Sequence, residues 1–487
     1  MEYLWDGPNW SFPLLEKVSA VIEDIGVNEM GMNIYPNQIE IITSEQMLDA
    51  YSSVGMPVMY NHWSFGKSFS RDKHGYDKGM QGLAYETVIN SNPCISYLME
   101  DNTMTMQALV IAHAGIGHNL FFKSNHLFQT WTDASSIVDY LVFARGYISK
   151  CEEIYGYKVV EEFLDSCHSL QRYGVNRYKK PGKLSIAKEK ERQKFRDEMN
   201  HSEINELYDS LIKKKDKIIN ENFPQEPEEN ILYFCEKHSP DLSEWKRECI
   251  RIIRKISQYL YPQIQTKVMN EGCATYMHYN IINRLHEKGL MTDGSMIEFL
   301  TSHTNVVMQP DFDSKYYNGI NPYALGFAMM RDIERICKKP TDEDKKWFPD
   351  FSGCNDHLNV LRHAWINYRD ESFIRQFLSP KVIRDFKLFH VRDDLGSSDL
   401  KVSAIHNDNG FQDIRNALGD SYEMDEYTPH IEVTKLDPQT RGLHLTYIPY
   451  RGRSLKNAYG MNRKIKKLWN DYPTTIWDSR GNCLATG

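Results

Sequence analysis

The chain has 487 residues, 41% of them hydrophobic and 12% aromatic, and a formal net charge of −8. That length exceeds one ordinary core and predicts two or more domains, while the apolar content excludes a globally disordered chain. The negative charge argues against a general nucleic-acid or anionic-membrane binder.

The opening "MEYLWDGPNW" lacks the basic and apolar regions of a secretory signal. No uncharged apolar run approaches the ~20 residues that span a bilayer, so no membrane span is expected. Nine cysteines, odd in number and without a C-x-x-C pair, read as reduced thiols. These features predict a soluble, cytoplasmic protein.

In chain order, "FPLLEKVSAVIEDIG" has helical spacing of apolar residues and stops at Gly26. "SEQMLDAYSSVG" predicts a second helix, with Ser44 as N-cap and Gly55 at its end. The aromatic, glycine-rich "MPVMYNHWSFGKSFSRDKHGYDKG" reads as an ordered loop. "TMTMQALVIAHA" and "SSIVDYLVFARGYISKCEEIYG" are further helices, and residues 179–228 form a polar insertion of mixed charge. "LSEWKRECIRIIRKISQYLYPQIQTKVMNEGCATYMHYNIINRLHEKG" is again strongly helical. Beyond about Pro380, "FKLFHV", "LKVSAIHN", "HIEVTKLD" and "LHLTYIPY" read as strands, with helices "GFQDIRNALGD" and "SLKNAYGMNRKIKKLWN" between them. The predicted class is α+β: a mainly helical body over residues 1–379 and a small α+β domain over 380–487.

The residues that could carry chemistry begin with "VIAHAGIGHNLFFKSNH". His113 and His118 are five apart, which on an unbroken α-helix sets them about 140° from each other. Gly115 and Gly117 lie between them, and a bulge or break there would turn both imidazoles inward. Two histidines suit zinc or iron but do not make a site alone. Glu271, Thr275 and His278 share one helical face, with Glu271 and His278 roughly 10 Å apart along the axis. Glu271 is therefore the better further ligand, and His278 a ligand or an orienting group. Glu86 and Glu100 sit in apolar-aromatic surroundings, where a carboxylate has a raised pKa or needs a partner, which suits either a general base or an added metal ligand. The competing readings are core histidines bonded to carbonyls and carboxylates on helix surfaces. His62 and His168 are weaker candidates. HExxH, P-loop, GxSxG and dinucleotide fingerprints are all absent.

Together "GMPVMYNHWSFGKSF", "GLAYETVINSNPCISYLMEDNT", "HAGIGHNLFFKSN", "TKVMNEGCATYMHYNI" and "SHTNVVMQPDFDSKYYNGINPYALGFAMMRDIERI" resemble the stage V sporulation protein R (SpoVR-like) family. "SAIHNDNGFQDIRNALGDSYE" and "LTYIPYRGRSL" are similar too, so the resemblance covers nearly the whole chain. Family members are implicated in making the peptidoglycan cortex of spores, although they also occur in bacteria that do not sporulate. The resemblance implies a cytoplasmic protein whose partners are a peptidoglycan-related peptide or cortex-synthesis proteins. His113, His118, Glu271 and His278 stand at family-like positions. Cys273 and Met277 replace the family's usual tryptophans, and His126 is not part of the pattern.

Two functions follow as expectations. One is a metal-dependent amidase or peptidase. His113, His118 and Glu271 hold zinc (or iron), His278 completes or orients the site, and Glu86 or Glu100 accepts the proton. The alternative is a non-catalytic sporulation factor that works through protein–protein contacts. A di-iron redox protein is disfavoured, because two Glu-x-x-His pairs are missing.

Overall fold

The computed structural model describes residues 3–53, 55–56, 58–78, 86–177, 223–224, 226–393, 400–437 and 439–487. Most of the polar stretch expected over 179–228 lies outside them. The described chain is mainly helical with three small sheets, an α+β fold. It divides into two compact units, each made from two stretches: Met1–Ser149 with Tyr259–Met424, and Lys150–Gln258 with Asp425–Gly487. The boundary read near residue 380 falls within the first unit, because Phe411 and Ile414 are buried in its core.

In the first unit, helix α1 (Phe12–Glu23) starts where the Ser11 side chain accepts from the Leu14 amide. It buries Leu15, Val18 and Ile22, the i, i+3, i+7 stripe of an amphipathic helix. Strands β1 (Asn37–Ile42), β2 (Glu86–Ile89) and β3 (Cys94–Met99) form a sheet of order β1-β3-β2. The central β3 runs parallel to β1 and antiparallel to β2, and its Cys94, Ile95, Leu98 and Met99 are all buried. Between β1 and β2 the expected loop contains helix α2 (Trp63–Asp77). Its signal is local: the His62 ring caps it by accepting from the Ser64 amide.

The centre of the unit is a continuous buried rod. Helix α3 (Met104–Val110) passes into a π-helix (Ile111–His118) and then into α4 (Asn119–Ser124). Every residue from Met104 to Phe122 is buried. Helix α5 (Lys267–Glu287) lies against this rod, with α6 (Asp293–Val306) and α7 (Pro322–Lys338) around it. Glycines permit the closeness: a Cβ on Gly117 would stand 2.4 Å from Ala274 Cα, and one on Gly272 2.6 Å from Gly326 Cα. The start of α5 is held by helix α8 (Asp370–Phe377), whose buried Asp370 carboxylate accepts from the Val268 and Met269 amides at 2.9 Å each. Strands β4 (His390–Asp393) and β5 (Leu400–Ala404) and helix α9 (Asp408–Ser421) complete the unit.

The second unit carries strands β6 (His430–Leu436), β7 (Leu443–Ile448), β8 (Thr474–Asp478) and β9 (Cys483–Thr486), in sheet order β6-β7-β8-β9. The parallel β7–β8 pair is joined through the helix Ala458–Leu468. Alternation puts Ile431, Val433, Leu443, Leu445 and Ile476 inside. Nearby, the buried Glu236 carboxylate is matched by Arg251 at 3.0 Å, Arg254 at 2.8 Å and Lys237 at 2.9 Å. Three of the four runs read as strands after Pro380 form strands over most of their length, whereas "FKLFHV" enters one only at His390 and Val391; the strands are divided between the two units.

Candidate metal centre

The π-helix resolves the spacing of the histidine pair. Its hydrogen bonds run i→i+5, so residues five apart return to the same side. His113 and His118 are one such turn apart, and their rings meet edge-on with centroids 4.7 Å apart. Gly115 and Gly117 lie inside that turn; Gly115 stands against Asn37, and Gly117 against Ala274.

Both carboxylates that meet the pair come from other elements. Glu86, at the start of β2, places Oε1 3.6 Å from His113 Nε2. Glu271, on α5, places Oε2 3.5 Å from His118 Nε2 and 3.8 Å from His113 Nε2. Glu86, His113 and His118 each offer a donor atom within 4.8 Å of the others. Donors bound at about 2 Å around one tetrahedral ion lie roughly 3.3 Å apart, so these separations suit a shared cation.

The hydrogen bonds behind the pair settle which nitrogen faces the carboxylates. His118 Nδ1 is 2.9 Å from Asn270 Oδ1, an atom that only accepts. His118 therefore keeps its proton on Nδ1 and turns the Nε2 lone pair toward Glu271. Burial lowers its pKa to about 4, so the ring is neutral at pH 7. Glu271 Oε2 is buried and has no hydrogen-bond partner among the described residues. Two acceptors thus face each other at 3.5 Å, an arrangement that a cation between them satisfies.

The two carboxylates differ in charge behaviour. Burial pushes Glu271 up, but His113, His118 and the Tyr323 hydroxyl outweigh it and hold the group below the ordinary carboxylate range. Glu86 is raised: burial, with Glu271 nearby, prevails over the pull of His113. Burial would lower His113, yet Glu271 and Glu86 together raise it. Tyr323, on α7, also stacks over the His113 ring at 6.3 Å.

His278 is brought to the cluster, but behind it. Its Nδ1 lies 2.9 Å from His113 Nδ1, on the side of the ring away from the carboxylates. Glu100 is not brought there. It is exposed in the turn after β3, where its carbonyl accepts from the Trp10 indole, so the apolar burial expected of it is absent. His126 is exposed and bonded to the Ile366 carbonyl. His62 is the cap of α2, and His168 lies in the second unit.

A cavity of about 310 Å³ opens onto the cluster, lined by Glu86, His118 and Glu271 together with Tyr51, Tyr259 and Tyr323. Asn270, His303 and Tyr323 were not singled out from the sequence. Asn270 is adjacent to Glu271, and the other two fall inside the long "SHTNVV…NPYALG" resemblance, but no spacing ties them to the pair.

Comparison with known proteins matches residues 9–427 to the family described as SpoVR like protein. The chain belongs to the SpoVR-like family. A similar SpoVR-like relative is the "Uncharacterized protein YcgB" of Escherichia coli (strain K12), 55% identical over 471 residues that cover 96% of this chain and 92% of that protein. No solved structure matches. The family match takes in all four cluster residues and the cavity.

Proposed function

We propose that this SpoVR-like protein is a metal-dependent hydrolase of amide bonds, acting on a peptidoglycan-related peptide. Zinc is the expected ion and iron the alternative. The observation that carries the reading is the pair of facing acceptors, His118 Nε2 and Glu271 Oε2, beside a second imidazole and a second carboxylate. His113, His118 and Glu271 would hold the ion. Glu271 suits this role because it stays ionised, and Glu86, whose pKa is raised, suits proton transfer.

A bound ion would polarise the scissile carbonyl and acidify the attacking water. The rest falls to the chain's own groups. Glu86 takes the proton as water oxygen adds to the carbonyl carbon, and returns it to the amine as the C–N bond breaks. Tyr323 keeps Glu271 oriented, and Asn270 keeps His118 in the tautomer that presents Nε2. The cavity's tyrosines offer aromatic surface to a peptide.

Elemental analysis of purified wild type, His113→Ala and Glu271→Ala tests the proposal. Near-stoichiometric zinc or iron in wild type, lost in both variants, is expected. A folded wild type that takes up neither ion would overturn it and favour a sporulation factor acting through protein contacts.

A further inference from the structure

Behind the cluster runs a chain of imidazoles. His113 Nδ1 lies 2.9 Å from His278 Nδ1, and His278 Nε2 lies 2.9 Å from His303 Nδ1. His278, on α5, is fully buried; His303, on α6, is packed by Tyr279, Phe299 and Phe327 at centroid distances of 5.0, 5.8 and 4.9 Å. Exposure is 3% at His113, 0% at His278 and 6% at His303, so the chain leads from the cluster through the core. Burying three imidazoles nitrogen to nitrogen is costly unless each bond has one donor and one acceptor.

That condition couples the three rings. A neutral imidazole donates from one nitrogen and accepts at the other, so fixing one ring fixes the next. An ion on His113 Nε2 requires the proton on Nδ1, which then donates to His278 Nδ1. His278 must carry its proton on Nε2 and donate to His303 Nδ1, and His303 must hold its own on Nε2. The opposite polarity places a proton on His113 Nε2, where the ion would bind. Between the two polarities each ring keeps one proton and moves it from one nitrogen to the other, so the count balances.

We infer that His303 is a positioning residue for the metal: acting through His278, its Nδ1 lone pair holds His113 in the tautomer that presents Nε2 to the ion. The inference rests on the metal reading above. It assigns a role to a side chain that touches neither the ion nor the cavity lining.

The test pairs His303→Phe, which fills the space without an acceptor, with His303→Gln, whose amide oxygen can accept from His278. Zinc Kd is measured by competition with a chromophoric chelator, and ¹⁵N NMR of the histidine rings reads the tautomers in wild type. A 10–100-fold weaker zinc Kd is expected for the Phe variant, with most of the loss restored by Gln. In zinc-loaded wild type, His278 and His303 should both be protonated on Nε2. A Phe variant within twofold of wild type, or a His278 protonated on Nδ1 in the zinc form, overturns the inference and leaves the metal site standing. Wild type that binds no metal overturns both. Should the Phe variant fail to fold, the wild-type tautomers still decide.

Discussion

At the scale of single residues, two carboxylates of the same type are shifted in opposite directions because their surroundings differ. Glu271 faces two imidazoles and a tyrosine hydroxyl, whereas Glu86 faces one imidazole and another carboxylate. Glu86→Gln should therefore keep the metal and lose about 10²–10⁴-fold in kcat, the usual range for a general base. Glu271→Gln should lose the metal itself, read by elemental analysis. On the proposed mechanism the acidic limb of kcat/KM should report Glu86: activity should rise as it deprotonates, with a midpoint above the ordinary carboxylate value, and the limb should vanish in Glu86→Gln. Burial holds His118 well below its ordinary value, so the limb is expected to follow Glu86 rather than His118. Glu100→Gln should change neither metal content nor rate, since Glu100 stands exposed in a turn.

At the scale of elements, the site depends on how closely the π-helix and α5 approach. Gly117→Ala would place a methyl carbon 2.4 Å from Ala274 Cα, where the obstacle is backbone and cannot swing aside. The expected cost is about 1–3 kcal/mol, read as a lower denaturation midpoint, with reduced metal content as Glu271 moves off the pair. A second element-level device lies away from the site. Arg335, on α7, makes paired bonds of 2.7 and 2.8 Å to Asp344, which also caps its own short helix through Thr341. Burial raises Asp344, but Arg335 and Thr341 outweigh it and bring its pKa down to about 2. A carboxyl lowered on folding stabilises the native state above its unfolded pKa, near 4, and that support fades as pH falls toward 2. Asp344→Asn should cost roughly 2 kcal/mol at pH 7, discounted for the partial exposure of Arg335, and should flatten the stability profile between pH 4 and 2. Much of this scale was legible beforehand: apolar periodicity marked the long helices, and two glycines between two histidines marked a departure from α geometry. Strand β3 was not, because it is buried on both faces and shows no alternation, and β1 and β2, its short and half-exposed neighbours, carry no strong pattern of their own. Glu86 is legible as a candidate base or added ligand weighed against a helix-surface carboxylate, but not as a strand residue, and the sheet is what delivers it. Helix α2 was hidden by its glycines and aromatics, and His303 because a lone histidine on a helix has no distinguishing spacing.

For the molecule as a whole, all four cluster residues belong to the first unit, so the effect of metal should be confined there. Hydrogen exchange with and without zinc should show added protection in Met104–Ser124 and Lys267–Glu287, and unchanged exchange in the sheet β6-β7-β8-β9. A ligand at 100 times its Kd adds about 2.7 kcal/mol, enough to read in the slowest amides. The division into units was only partly visible. Composition marked where strands become frequent, but it could not show that the chain leaves the first unit at Ser149 and returns at Tyr259. Among the described residues no helix is long and apolar enough to cross a membrane. The excursion also sets an order in time. His118 and the Asn270 that fixes it are 152 residues apart. At about 5–20 residues per second, a nascent chain exposes the histidine pair for on the order of ten seconds before α5 is made. Throughout that interval the rod from Met104 to Phe122 has no α5 to pack against, and His118 has neither its carboxylate nor its amide. The proposed ligand set of His113, His118 and Glu271 is complete only once synthesis has passed α5, so on that reading the metal would act as a late clasp on the growing chain rather than a seed for its folding.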